Sequence, residues 1–113
     1  MHELVIVEGI LDAVLPEVKK HNVKKVISIK LKIGELSGVI PECIDYYFDI
    51  ASKGTLAEGA KIVVEKVPVS ISCRDCGYNG EIPRRSYRCP ECGSRNIRIE
   101  SGREYFIDSV EAE

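Results

Sequence analysis

Apolar residues recur every three or four positions along the first twenty residues. Leu4, Val7, Leu11, Val14 and Val18 form a stripe that Ile10 and Leu15 widen, while Glu8, Asp12, Glu17, Lys19 and Lys20 fall outside it. This is the period of an amphipathic helix with one buried face. The late lysines suit the negative end of its dipole and Asn22 suits a left-handed cap, which predicts an end near His21. Pro16 lies inside the pattern and removes one backbone hydrogen bond, so a kink or an early stop is expected there.

In residues 26–33, VISIKLKI, the period changes to two, with Ile27, Ile29, Leu31 and Ile33 set against Ser28, Lys30 and Lys32. Such alternation predicts a strand with one wet face. GELSG breaks it, Pro41 suits a first helical turn, and Ile40, Ile44, Tyr47, Phe48 and Ala51 predict a second helix closed by Gly54. Residues 61–71 are β-branched and broken by Pro68, and residues 105–110 read as a last strand after the Ser101-Gly102 turn. A polar insert separates them. The order predicts an α+β fold: a small three-stranded sheet covered by two helices, with an inserted four-cysteine module. The expected division is residues 1–70 plus 97–113 for the α/β domain and 71–96 for the insert.

Composition narrows the class without changing this picture. With 113 residues, 44% hydrophobic and 30% charged, the chain has the balance of a soluble domain with one main core. The start, MHELVIVEGILDAVL, carries Glu3, Glu8 and Asp12 within its apolar stretch, so neither a signal peptide nor a membrane span is expected, and the protein is expected to be cytoplasmic. A net charge of -2 opposes a phosphate backbone as the main partner. There is no paired general acid and base, no nucleophile with its base, and no GxxxxGK[ST] phosphate loop, so no enzymatic activity is expected.

In a reducing compartment, five cysteines point to ligands, core residues or redox centres rather than disulfides. Cys73 and Cys76 form one CxxC pair and Cys89 and Cys92 another, with 12 residues between them. A CxxCG turn aims two thiolates at one point, and Gly77 and Gly93 permit the tight backbone that follows. Two such turns supply a tetrahedral sulfur set, which fits a closed structural zinc site. A rubredoxin-like iron site has the same spacing. A dithiol redox pair is set aside, because a thioredoxin-type CxxC opens a helix in a larger βαβ fold, whereas both pairs here flank polar turns.

The cysteine module is also the basic part of the chain, with a net charge of +3 over residues 69–99. Arg84, Arg85, Arg88, Arg95 and Arg98, with Tyr78 and Tyr87, offer a nucleic-acid surface of the kind other zinc ribbons use; the plainer reading is that they offset the charge of a four-thiolate site. Cys43, on the apolar face of the second helix, reads as a small core residue, and His21 as a dipole partner at a helix end. His2 stands one residue from the terminal amine. Amine, intervening amide nitrogen and imidazole make a compact chelate of the type that copper(II) and nickel(II) favour, and Glu3 adds a carboxylate that completes the plane or orients the imidazole.

The MHE start, KIGELSGVIPE at residues 32–42, the CxxC-x12-CPxCGS module and the ending SGREYFIDSVEAE together resemble the HypA/HybF family of hydrogenase maturation factors. The resemblance runs over essentially the whole chain. It implies a nickel metallochaperone that delivers Ni(II) to the large subunit of [NiFe] hydrogenase, with the GTPase HypB as partner and neither nucleic acid nor membrane involved. Carried over by position, exchangeable nickel falls on His2 with Glu3 and local backbone nitrogens, and structural zinc on Cys73, Cys76, Cys89 and Cys92. The alternative is a zinc-ribbon adaptor that binds nucleic acid or protein and uses no nickel. Oligomeric state is not fixed by the sequence.

Overall fold

The computed structural model describes residues 3–83 and 85–113. Its first element is α1 (Glu3–Lys20), on which Val7, Ile10, Leu11, Val14 and Val18 are buried. Pro16 does not stop the helix. It is exposed, and the carbonyl that its missing N–H would have met belongs to exposed Asp12, where water can replace the lost bond. The buried face differs from its expected form at the start, where Leu4 is 45% exposed and Glu3 only 6%. Position 3 lies one turn above Val7 and so shares its face. Asn22 adopts a φ of 54° after the helix, and the Val23 N–H donates to Val18 O at 3.1 Å, the 6→1 bond of a Schellman cap.

The remaining elements are β1 (Val26–Gly34), α2 (Pro41–Ala51), β2 (Lys61–Val67), β3 (Ser70–Cys73), β4 (Asn79–Glu81), β5 (Ile97–Ser101) and β6 (Tyr105–Ala112). Pro41 opens α2, which packs on α1, and Ile44 and Phe48 are its fully buried positions. A three-stranded sheet has the order β2-β1-β6. Ile29, Leu31 and Ile33 of β1 are buried as their alternation predicts, whereas Ile27, at the strand's beginning, stays exposed and Val26 is buried instead. The wet face carries ion pairs across all three strands: Lys30 to Glu65 at 3.2 Å, Lys32 to Glu65 at 3.4 Å and Lys32 to Asp108 at 3.9 Å. The pair with Lys30, helped by Lys32, holds the Glu65 carboxyl below its usual range.

A second three-stranded sheet has the order β4-β3-β5, with β3 antiparallel to both neighbours. Pro68 separates β2 from β3, so the β-branched run 61–71 supplies strands to two different sheets. Val69, Ile71, Cys73, Ile82 and Cys89 form its core, with Leu36, Tyr78, Ile97 and Ile99 packed against them.

The chain divides into two compact units. One takes the chain up to Lys32, Gly38–Glu65 and Phe106–Glu113; the other takes Ile33–Ser37 and Lys66–Tyr105. The second reaches beyond residues 71–96 because β5 pairs with β3, and because the segment after β1 is strapped to it. The straps are the Gly34 N–H to Glu104 O at 2.7 Å, Glu35 N–H to Val67 O at 3.0 Å and Leu36 N–H to Gly102 O at 2.6 Å.

Candidate metal centre

The two CxxCG segments build the same turn twice. In the first, the Gly77 N–H donates to Cys73 O at 3.0 Å and the Cys73 N–H to Tyr78 O at 2.8 Å. In the second, the Gly93 N–H donates to Cys89 O at 2.9 Å and the Cys89 N–H to Ser94 O at 2.9 Å. Gly77 and Gly93 have φ of 81° and 75°, and a Cβ on either would meet nothing within 4 Å, so glycine is required by backbone conformation and not by crowding.

The turns bring all four sulfurs within 4.8 Å of one another. The close pairs run between turns, Cys73 to Cys92 at 3.6 Å and Cys76 to Cys89 at 3.5 Å. Four sulfurs at about 2.3 Å from a tetrahedral ion stand about 3.8 Å apart, close to these separations. Cys73 and Cys89 are buried and Cys76 and Cys92 exposed, so each turn contributes one sulfur from the core and one from the surface. Among the described residues, this is the one cluster of three or more His, Cys, Asp or Glu side chains with ligand atoms in such reach.

The electrostatics of the bare sulfurs explain why a cation suits them. Burial opposes ionisation of Cys73, but the amides of Cys76 and Asp75 donate to it and bring its thiol down to about 7. At Cys76 the Tyr78 amide works the other way from the Cys89 sulfur and burial, and the thiol is pushed up to about 12. Cys92 is also raised, the Ser94 amide being outweighed by burial and by the Cys73 and Cys89 sulfurs. Sulfurs this close cannot all become thiolates on their own, and a dication removes the conflict.

A polar clip with little signature in the sequence fastens one turn to the other. Ser94 donates its hydroxyl to Asp75 Oδ2, the Asn96 side-chain amide donates to Asp75 Oδ1 at 3.1 Å, and the Arg74 N–H donates to Asn96 O at 3.0 Å. These bonds hold the Asp75 carboxyl below its usual range, the Ser94 hydroxyl contributing most. The one signal for the clip is a serine directly after CPxCG.

Of the other residues singled out, Cys43 is half-buried on α2 rather than fully in the core, and His21 is exposed beyond α1. His2 lies outside the described residues. Glu3, the first residue of α1, is buried, and its Oε2 has no hydrogen-bond partner among the described residues.

Comparison with known proteins bears on the whole chain. A family model described as hydrogenase/urease nickel incorporation, metallochaperone, hypA, matches residues 1–112. A relative from Caldanaerobacter subterraneus subsp. tengcongensis, a hydrogenase maturation factor HypA, is 39% identical over 114 residues and covers 100% of both chains. The Rhodobacter capsulatus factor of the same name is 39% identical over 111 residues, 98% of each. The solved structure titled as the Ni metallochaperone HypA from Helicobacter pylori superposes with a TM-score of 0.66 at 24% identity, covering 99% of this chain and 97% of that one. Another HypA solution structure gives 0.73 at 23% identity, with 100% and 97% covered. At such identity the structures speak for the α+β fold, and the family rests on the whole-length sequence matches. The chain therefore belongs to the HypA family of hydrogenase and urease nickel-incorporation metallochaperones.

Proposed function

We propose that this chain carries Ni(II) at His2, with Glu3 and neighbouring backbone nitrogens, and hands it to the large subunit of [NiFe] hydrogenase with the GTPase HypB as partner. Cys73, Cys76, Cys89 and Cys92 hold a permanent structural Zn(II). The observation that carries the reading is the closure of the cysteine cluster. Four sulfurs within 4.8 Å of one another satisfy a tetrahedral ion among themselves, so an ion held there is not the one to be exchanged. Cargo needs a second, incomplete site.

Glu3 supports the location of that second site. A buried carboxylate oxygen with no hydrogen-bond partner among the described residues is costly, and this one stands next to His2 in the sequence. Imidazole and backbone nitrogen donors suit nickel(II), which favours tetragonal N,O coordination. Zinc is the better occupant of the cysteine set because its filled d shell accepts whatever geometry the two turns impose.

Metal analysis of the untagged chain, before and after nickel addition, tests both assignments. One colourless zinc per chain as isolated, and one further nickel that a chelator removes without disturbing the zinc, are expected. The red absorption of ferric thiolate would transfer the cysteine site to iron. Nickel that can be bound only by displacing the zinc would remove the two-site reading.

A further inference from the structure

The arginines of the cysteine module are not absorbed by either metal site. Arg98 stands 3.7 Å from Glu100, which also accepts from Ser72 at 2.8 Å. Arg85, Arg88 and Arg95 have no ion-pair partner among the described residues. These three, with Ser86 and Tyr87, line one surface cavity of about 450 Å³ that has no acidic residue in its wall. The loop is built to hold them there. The Ser86 N–H donates to Pro83 O at 3.0 Å and the Arg88 N–H to Ser86 O at 2.8 Å, and Arg85 takes a φ of 66°, a conformation that residues with a side chain seldom adopt.

We propose that Arg85, Arg88, Arg95 and Tyr87 form a docking site for an acidic, Asp/Glu-rich segment of a partner protein. Three arginines line one concavity, and none of them is in an ion pair with a described carboxylate, so their like charges are left uncompensated by the described chain. Arginines that only offset the thiolates need not line a common open cavity. A carboxylate-rich segment supplies the missing charge, and the planar fork of arginine matches a carboxylate two bonds at a time. Tyr87, 46% exposed, adds a rigid amphipathic contact of the kind that dominates protein interfaces alongside arginine.

A nucleic acid fits less well. Single-strand binding surfaces stack successive bases on several aromatic rings. Tyr78, the other tyrosine of the module, donates its hydroxyl to Glu81 O at 3.0 Å and packs on the core, which leaves Tyr87 alone. Glu100 sets a carboxylate on the outer strand where a phosphate backbone would need a cation.

The proposal does not depend on nickel and is tested on the full, metal-loaded chain with a fluorescent octaglutamate peptide, read by anisotropy. Octaglutamine, inorganic phosphate and a single-stranded oligonucleotide are the comparison probes. Octaglutamate is expected to bind and octaglutamine not, with affinity falling at least about tenfold as salt rises from about 50 to about 300 mM. The double variant R88Q/R95Q should weaken the peptide at least about tenfold while keeping its metal, and Y87A should weaken it to a smaller extent. Absence of peptide binding by the wild-type chain at low salt overturns the proposal, as does equal binding by R88Q/R95Q. Tighter binding of the oligonucleotide would make the surface a nucleic-acid site, and displacement of the peptide by equimolar phosphate would make it a small-anion pocket. Loss of metal from R88Q/R95Q would assign the arginines to the thiolates instead.

Discussion

A Cβ atom placed on Gly34 would lie 2.1 Å from the carbonyl oxygen of Gly102 and 2.7 Å from the backbone nitrogen of Arg103. Backbone is not a neighbour that can step aside. The glycine of the KIGELSG segment is thus set by the close approach of two main chains, sealed by the Leu36 N–H bond to Gly102 O at 2.6 Å. Gly34→Ala is expected to destabilise the protein by about 3 kcal/mol, at the upper end for overpacking. Gly9→Ala supplies the opposite sign. Position 9 lies mid-helix with nothing within 4 Å of its added carbon, so about 0.5–1 kcal/mol of stabilisation is expected. Urea unfolding of the two variants beside wild type checks both, and a Gly34→Ala protein as stable as wild type would remove the contact from consideration.

Cys89 is buried and its sulfur lies 3.5 Å from that of Cys76, so its loss opens the cluster from the inside. Cys89→Ser is expected to shed the zinc and to loosen Lys66–Tyr105, while the α1, α2 and β1 core keeps its protection against hydrogen exchange. Structural zinc contributes roughly 10 to 16 kcal/mol in small peptides, far more than the few apolar side chains of this unit replace. A purified Cys89→Ser protein with one tightly held zinc and unchanged protease resistance would refute the assignment.

His2→Ala is expected to lose the tight nickel event in calorimetry and to keep its zinc. The same experiment run against pH separates the two metals. Imidazole binds nickel only when neutral, so nickel affinity should decline as pH falls through about 6.5. Zinc should leave later. Acid must protonate and displace four thiolates that share one ion, whereas an open site is lost with a single imidazole. Equal nickel affinity in His2→Ala and wild type would sink the nickel site, and zinc release ahead of nickel would reverse the order of exchangeability.

Asp45 lies on α2 between Glu42 and Asp49, three and four residues away on one face. Burial first, and then the charges of Asp49 and Glu42, raise its carboxyl above the usual 3.8. The folded chain therefore holds this proton more tightly than the unfolded chain does. Its contribution to stability is present in acid and lost as pH rises through the raised value. At neutral pH Asp45→Asn should stabilise the protein by a few tenths of a kcal/mol, since like charges so spaced on an exposed helix cost no more. The gain should vanish near pH 3.5, which thermal melts at the two pH values would detect. A loss of stability at pH 7 would give Asp45 a favourable contact instead.

The legible parts of this fold are those with local causes. The stripe from Val7 to Val18, the alternation from Ile29 to Ile33 and the opening proline of α2 each act within a few residues, and each element follows. The cysteine pairs were legible for the same reason, since each CxxCG turn closes on itself. What escaped depends on distant partners. β5 is a strand because Ile99 and Ile97 pair with Ile71 and Cys73, and β4 because Ser70 and Ile71 meet Glu81 and Gly80. Asn79–Glu81 has no apolar pattern of its own, and the alternation of Ile97 and Ile99 with Arg98 and Glu100 spans only four residues. The clip from Asp75 to Ser94 and Asn96, and the need for glycine at position 34, likewise arise only when remote backbone arrives. At the start of α1, spacing selected Leu4 for the core, yet the face that includes Glu3 is the buried one, because a helical stripe is wide enough to be entered at either of two neighbouring positions.

The chain crosses between its two units four times, after Lys32, Ser37, Glu65 and Tyr105. During synthesis this imposes an order. The first unit waits for Phe106–Glu113 to supply β6, and the second waits for the residues up to Tyr105 to meet Ile33–Ser37, which the ribosome released long before. The four cysteines are the exception, since they all lie within residues 73–92 and each of their turns is closed by local bonds, so their ion needs neither Ile33–Ser37 nor β6 to be held.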